Sequence, residues 1–477
     1  MLQSLKLFFL VLCCIPAFCI AQPQPPVVQE TTVDSVGKVV ISAIHISGNK
    51  KTKAYIIERE MKLKKGDSVT LDQLIKSIEQ SRQLIYNTTL FTEVTITPQN
   101  INPQEVIINV GVKEKWYIYP TPQFQLVDRN FNEWLKVYHA DFNRVIYGAK
   151  FAHYNLSGRG DQLRIYLLNG YARNFSFSYR APYSNAALTE GFAVSAGYTQ
   201  NREISYKTSL KNKLLQYRKE DAFVRNIFSG SASYFLRRGF YKRHSFSFVY
   251  TQVNLDDSII TAKYNPQYFN EATAVKGYPD FIAGFQYVNT NNVNYPLKGK
   301  AYSLGVLKRG LGFKGGINML QLDAALWKYF PHSNNWYSAV QVATKIKLPF
   351  TQAYINQRAF GYGDLYLRGL EYYVIDGVAA MLAKYTLKKK IISFNIPVPF
   401  KIKAIPKIPV TIFAKTYGDA GYNYNKPQLA GMLNNKLIYT GGFGLDILTL
   451  YDINMKLEYS FNQLGENGLF LHVSSAF

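Results

Sequence analysis

From Trp116 to the end of the chain the sequence alternates. Asn174-Phe175-Ser176-Phe177-Ser178-Tyr179-Arg180 sets a ring at every second position, and Ile453-Asn454-Met455-Lys456-Leu457-Glu458-Tyr459-Ser460-Phe461 keeps the same period. Leu163, Ile165 and Leu167 likewise alternate with Arg164 and Tyr166. Successive side chains of a strand point to opposite faces, so a period of two makes one face apolar and the other polar. A soluble sandwich buries its apolar face between two sheets, whereas a membrane barrel turns that face to lipid and its polar face to a wet lumen. Alternation does not choose between them. The two ends of the chain do.

Lys6 precedes an apolar run from Leu7 to Cys14, followed by Pro16 and by Ala21 at the expected cut, which is the order of a secretory signal peptide. The run is shorter than the ~20 apolar residues of a membrane-spanning helix. A lipoprotein signal would want a small residue before its cysteine, and Phe18 precedes Cys19. All three cysteines, Cys13, Cys14 and Cys19, fall inside this segment. The mature chain is therefore expected to have no disulfide, thiolate metal site or cysteine nucleophile. No later run is apolar over 18 residues, and an exported chain without such helices is either soluble or a closed barrel. The other end, Gly468 to Phe477, places 469, 471, 473 and 475 on one mostly apolar face and finishes on an aromatic ring. A strand running to the last residue predicts closure against the first strand, with Phe477 as the C-terminal assembly signal. Tyr 37 and Phe 31 within an aromatic content of 15% agree with a strand-rich chain.

The 362 residues from 116 to 477 accommodate about 16 strands of ~10 residues each. The expected fold is mainly β, a ~16-stranded antiparallel transmembrane β-barrel. Long polar segments, Asn201 to Arg225 and Asp256 to Asp280, are expected on the extracellular side. The net charge of +24 is concentrated here, with 42 Lys and Arg against 21 Asp and Glu in 116–477. The cations are spread rather than clustered, and the chain is expected to be exported. Both favour anionic lipid or a polar lumen over nucleic acid.

Residues 38–115 read differently. Val39 to Ile46 is a strand; Thr52 to Leu63 and Thr70 to Tyr86 are helices separated by a turn at Gly66-Asp67; Phe91 to Thr97 and Glu105 to Glu114 are strands. In the second helix Leu71, Leu74, Ile75, Ile78 and Ile85 recur at helical spacing, with Thr70 as N-cap. The order β-α-α-β-β describes one small α+β domain. The expected organisation is a signal peptide over 1–21, a Pro-rich disordered leader over 22–37, the α+β domain over 38–115 and the barrel over 116–477.

Specific motifs carry a family resemblance. Ile46-Ser47-Gly48-Asn49, Gly66-Asp67, Leu84, Leu90-Phe91-Thr92-Glu93-Val94 and Val112-Lys113-Glu114 resemble a POTRA (polypeptide-transport-associated) domain. The second unit resembles the BamA, TamA and two-partner-secretion superfamily of outer-membrane assembly and translocation barrels. Asn155-Leu156-Ser157-Gly158-Arg159-Gly160-Asp161 is similar to its turn after the second barrel strand, and Tyr295-Pro296-Leu297-Lys298-Gly299 to the turn before the ninth. Leu367-Arg368-Gly369-Leu370 is similar to the Val-Arg-Gly-Phe/Tyr motif of the sixth extracellular loop, and Tyr417-Gly418-Asp419-Ala420-Gly421 to the strand-thirteen motif ending Asp-x-Gly. Together the motifs cover nearly all of 39–477. Two departures stand out: a single POTRA domain, and Leu370 where the motif has an aromatic. The resemblance implies a loop folded into the lumen, with Leu367, Arg368, Gly369 and Leu370 as its tip and Asp419 and Gly421 on the strand it meets. It also implies an outer-membrane location, a periplasmic POTRA domain, and a seam between the first strand (Trp116 to Leu126) and the last that opens.

Enzymatic chemistry is not expected. The six histidines, His45, His139, His153, His244, His332 and His472, show no metal-ligand spacing, and there is no Gly-x-Ser-x-Gly or P-loop. Gly361-x-Gly363 lacks the strand-to-helix context of a dinucleotide site. No cofactor is expected. The expected partners are outer-membrane lipid, unfolded outer-membrane or secreted protein cargo and periplasmic accessory proteins, with no nucleic acid. The expected function is assembly or translocation of other proteins; the alternative is a passive pore or structural barrel.

Overall fold

The computed structural model describes residues 37–126, 139, 141–363, 365–397, 407–426 and 431–474. The expected signal peptide, nearly all of the leader, and Phe477 lie outside these residues.

The N-terminal domain is a four-stranded sheet in the order β2-β1-β4-β3. It is built from β1 (Lys38–Ser47), α1 (Ala54–Glu58), β2 (Ser68–Thr70), α2 (Leu71–Tyr86), β3 (Phe91–Asn102) and β4 (Glu105–Glu114). The sequence reading is corrected in three respects. The first helix is only five residues long, a three-residue strand separates the helices, and the apolar face of α2 is narrower than its periodicity suggests. Leu74, Ile78, Ser81 and Ile85 follow the i, i+4, i+7, i+11 stripe toward the sheet, whereas Leu71 and Ile75 are more than half exposed. Ser81 is tolerated in the core because its hydroxyl accepts from Lys62 N at 2.8 Å and donates to Ser77 O at 2.7 Å. Thr70 caps α2 in a reciprocal box with Gln73.

The second unit is a sixteen-stranded sheet, antiparallel throughout. In chain order its strands are β5 (Ile118–Leu126), β6 (Val145–Tyr154), β7 (Gln162–Gly170), β8 (Ala172–Ala181), β9 (Glu190–Asn201), β12 (Arg225–Arg238), β13 (Lys242–Leu255) and β14 (Val275–Thr290). The series continues with β15 (Gly299–Arg309), β16 (Met319–Pro331), β17 (Trp336–Leu348), β20 (Ala379–Pro397), β21 (Lys407–Tyr424), β22 (Leu437–Leu448), β23 (Asn454–Asn462) and β24 (Asn467–Ser474). Two short hairpins, β10 (Glu203–Thr208) with β11 (Leu214–Arg218) and β18 (Arg358–Phe360) with β19 (Ile375–Asp376), lie in the long loops.

The alternation resolves into a membrane face and a lumen. Phe175, Phe177, Phe246, Phe248, Phe281, Leu304, Phe443 and Leu471 are all at least 40% exposed on one face. On the other, Phe413, Lys415, Tyr417, Asp419, Asp446 and Glu458 are buried. Rings outside and carboxylates inside are the reverse of a soluble protein, and fit a barrel in lipid. β5 and β24 stand at opposite ends of the strand order, and among the described residues no backbone register joins them.

The N-terminal domain sits under one mouth of the barrel and bonds to several of its turns. Asn155 Nδ2 donates to Thr52 Oγ1 at 2.9 Å, Arg59 Nε to Leu188 O at 2.7 Å, and Asn87 Nδ2 to Thr290 O at 2.8 Å. Arg237 grips Glu60 with two bonds of 2.6 and 2.7 Å. Tyr86 donates to Asp452 at 3.0 Å. Burial and that carboxylate push the Tyr86 hydroxyl pKa up, so it stays a donor.

Candidate functional site

The loop between β17 and β20, residues 349–378, is the sixth on the mouth away from the N-terminal domain, and it descends into the lumen. Its tip sets Arg368 against the inner face of β21. Arg368 Nε and its own backbone N both donate to Asp419 Oδ2 at 3.0 Å, and a second guanidinium nitrogen bonds the other carboxylate oxygen. The third nitrogen donates to Thr386 Oγ1 on β20 at 3.0 Å, and the guanidinium carbon lies 4.0 Å from the centre of the Tyr417 ring. Arginine suits this place because its planar fork meets two oxygens and stacks on a ring at once.

The neighbouring motif residues fit around that contact. Gly369 has φ +87°, a conformation that a side chain would strain, and it lies against Ser460 on β23. Its carbonyl accepts from Asn462 Nδ2 at 2.9 Å. Gly421 stands two residues after Asp419 and so on the same face. A Cβ there would come within 3.3 Å of both Leu367 and Phe360. Leu367 and Leu370 are buried with Phe360, Tyr373 and Leu382. In this strand motif the aspartate receives the arginine and the glycine leaves room for the leucine before it.

The wall around this contact is a charge network that the sequence reading missed. Glu458 on β23 accepts from Lys415 at 2.7 Å and lies 2.9 Å from His472 Nδ1 on β24. Lys415 also bonds Asp446 on β22, and Lys388 lies 3.2 Å from it. Tyr295, from the turn before β15, donates across the lumen to Asp446 at 2.6 Å. Lys384 stands 3.8 Å from Asp419. Alternation could have placed these side chains inward; only the folded sheet shows which meet. Glu371 reaches to within 3.8 Å of His472, and Tyr372 packs on Phe470 with centroids 5.6 Å apart. The loop therefore touches β20, β21, β23 and β24, all at one end of the strand order. Among the described residues no group of three His, Cys, Asp or Glu side chains could hold a metal.

Comparison with known families decides the identity of the first unit. Residues 39–115 match the POTRA family model, described as "Surface antigen variable number repeat". Residues 39–115 are a POTRA domain. A curated relative, "Outer membrane protein assembly factor BamA" of Neorickettsia risticii (strain Illinois), is 42% identical over 83 residues, 17% of this chain and 11% of the relative. The match thus spans about a tenth of that protein's length. Among solved structures, CdiB from Escherichia coli is similar with a TM-score of 0.52 at 11% identity, over 92% of this chain and 75% of that one. BamA from Haemophilus ducreyi lacking POTRA domains 1–3 gives a TM-score of 0.48 at 16% identity, over 91% and 84%. The structure thus joins a POTRA domain to a sixteen-stranded antiparallel sheet, a fold similar to that of CdiB. The POTRA domain lies at one mouth of the barrel.

Proposed function

We propose that the protein assembles or translocates other proteins at the outer membrane, receiving unfolded chains at its POTRA domain and inserting or exporting them at the barrel seam. The observation that carries this reading is the strand order, which leaves β5 and β24 as two edges without a backbone partner among the described residues. An unpaired edge presents a row of free N–H and C=O groups, and an incoming strand can pair with it while making little demand on its own sequence. β3, twelve residues long at the edge of the POTRA sheet, offers a second such edge near the entrance. The relative's name, an assembly factor, supports the same reading. The reading needs no covalent chemistry and no cofactor. Arg368 and Asp419 hold the loop, and Phe477, outside the described residues, serves as the C-terminal assembly signal. A passive pore would not need a loop pinned inside its lumen.

The test is a lock. Cysteines placed along β5 and β24 join the seam on oxidation, and every native cysteine falls at or before Cys19. We expect the locked protein to lose cargo assembly or export in the native bacterium and to recover it on reduction. Equal outer-membrane and secreted proteomes in both states would rule the mechanism out.

A further inference from the structure

The outward face of the barrel carries an unneutralised row of cations at its periplasmic rim. The register sets Arg238 on β12 opposite Lys242 on β13, and Lys300 on β15 opposite Lys328 on β16. Lys389 on β20 lies opposite Trp336 on β17, its ammonium 5.2 Å from the ring centre. All five are exposed and share the outward parity of their strands. Like charges directly opposite in a strand pair destabilise it unless something neutralises them. Among the described residues no ion pair does so, and the nearest outward carboxylate, Glu190 on β9, lies opposite Leu236 rather than either cation of a pair. From β12 to β17 the outward positions hold no Asp or Glu, and none of the five cations makes a salt bridge among the described residues.

The row lies where the hydrocarbon ends. Above it the same outward faces are apolar, with Tyr234, Phe246, Phe248, Phe281, Leu304 and Leu326 each more than 40% exposed. Between the two like-charge pairs, Tyr287 and Tyr302 stack at 4.8 Å with planes 8° apart. Aromatic rings with polar tips mark the level of the headgroups. The turns at this end are the ones bonded to the POTRA domain, for example Arg237 beside Arg238, so the leaflet concerned is the periplasmic one.

We propose that this rim binds anionic phospholipid of the periplasmic leaflet, with the phosphodiesters bridging Arg238 with Lys242 and Lys300 with Lys328 while the acyl chains lie on the apolar band above. A zwitterionic headgroup fits less well, because its ammonium would enter a row that already holds only cations. Inorganic phosphate lacks the chains that would seat it.

The test uses the full mature chain purified in neutral detergent. Its folded, compact band on unheated gels is followed as temperature rises, with phosphatidylglycerol, phosphatidylcholine or inorganic phosphate added at equal phosphate. We expect phosphatidylglycerol alone to raise the melting temperature by several degrees, with most of the rise lost in 0.5 M salt. Lys300→Gln/Lys328→Gln should lose at least half of the rise and Lys300→Arg/Lys328→Arg should keep it. Adding Arg238→Gln/Lys242→Gln to the glutamine variant should abolish it. Because the glutamine variants relieve repulsion, they should fold, which the compact band verifies. Equal stabilisation by both lipids, a rise that survives the four substitutions, or the same rise with inorganic phosphate would each overturn the proposal.

Discussion

The two halves of the barrel wall treat their interiors differently. From β20 to β24 the inner face carries Lys384, Lys388, Lys415, Asp419, Asp446, Glu458 and His472, and nearly every charge touches an opposite one or the inserted loop. From β8 to β13 the inner face is small and hydroxylated. Ser178, Ser195 and Ser231 lie in one register row across three strands, with the Ser195 and Ser231 hydroxyls 2.7 Å apart, and Ser233 meets Ser247 at 2.8 Å. Below these serines a cavity of about 1310 Å³ opens between the wall and α2, lined by Ile75, Gln83, Phe235, Arg180 and Arg243 among others. Neither Arg180 nor Arg243 makes a salt bridge among the described residues; Arg180 rests on the Phe235 ring at 4.2 Å. One wall is packed around a loop and fixed by paired charge. The other is held by its backbone ladder and by the POTRA contacts, and it keeps open space inside. Both seam edges belong to the same sheet, but only β24 is braced from within.

The largest effect is expected where the braced wall loses its central pair. Removing one partner of a buried ion pair leaves the other charge without compensation, which costs up to ~3–5 kcal/mol. Arg368→Ala and Asp419→Ala are each expected to lower the barrel's unfolding temperature and to expose loop 349–378 to protease. The double variant should be little worse than either single. Fully additive losses would mean that the two side chains act independently.

A smaller loss is expected from Gly421→Val. Its side chain would enter space held by Leu367 and Phe360, and overpacking of this kind typically costs ~1–3 kcal/mol. If the braced wall works as one unit, Gly421→Val should also raise protease sensitivity at Arg368 without touching its ion pair. A loop as protected as in the wild type would show that the glycine serves only its own strand.

These contrasts bear on what the sequence discloses. The division of each strand into an apolar and a polar face, and with it the inward turn of Asp419, follows from period two, because one register fixes every side chain of a strand; the strand number follows from the length of 116–477. The partners do not follow. Glu458 reaches Lys415, Arg368 and His472, and lies 43 residues or more along the chain from the first two. Which inward groups meet depends on stagger between strands, and alternation is silent on stagger. Ile75 shows the limit on the helical side. Its spacing reads as core, but α2 has two neighbours, the sheet and the barrel mouth, and Ile75 faces the cavity at the second. Ile85→Asp should therefore unfold the POTRA domain, with Ile85 fully buried, while Ile75→Asp should leave its melting cooperative and near the wild-type temperature.

The smallest effect is expected in the serine row, and it tests the comparison from its quiet side. Ser195 and Ser231 are bonded to each other, so replacing one leaves the other hydroxyl without its protein partner. In a dry interior that loss would cost ~1–3 kcal/mol. Here both side chains are only half-buried and face open lumen, so water can replace the missing partner at little cost. Ser231→Ala should then shift stability by less than ~0.5 kcal/mol, within the range of surface substitutions away from special features. Ser231→Leu should be tolerated too, since the space beside it is not filled by the inserted loop. Measured beside Gly421→Val, which also adds apolar volume to an inward position, the pair isolates the wall from the chemistry. If Ser231→Leu destabilises the barrel as much as Gly421→Val does, the row of serines is as tightly packed as the braced wall, and the contrast between the two halves has to be given up.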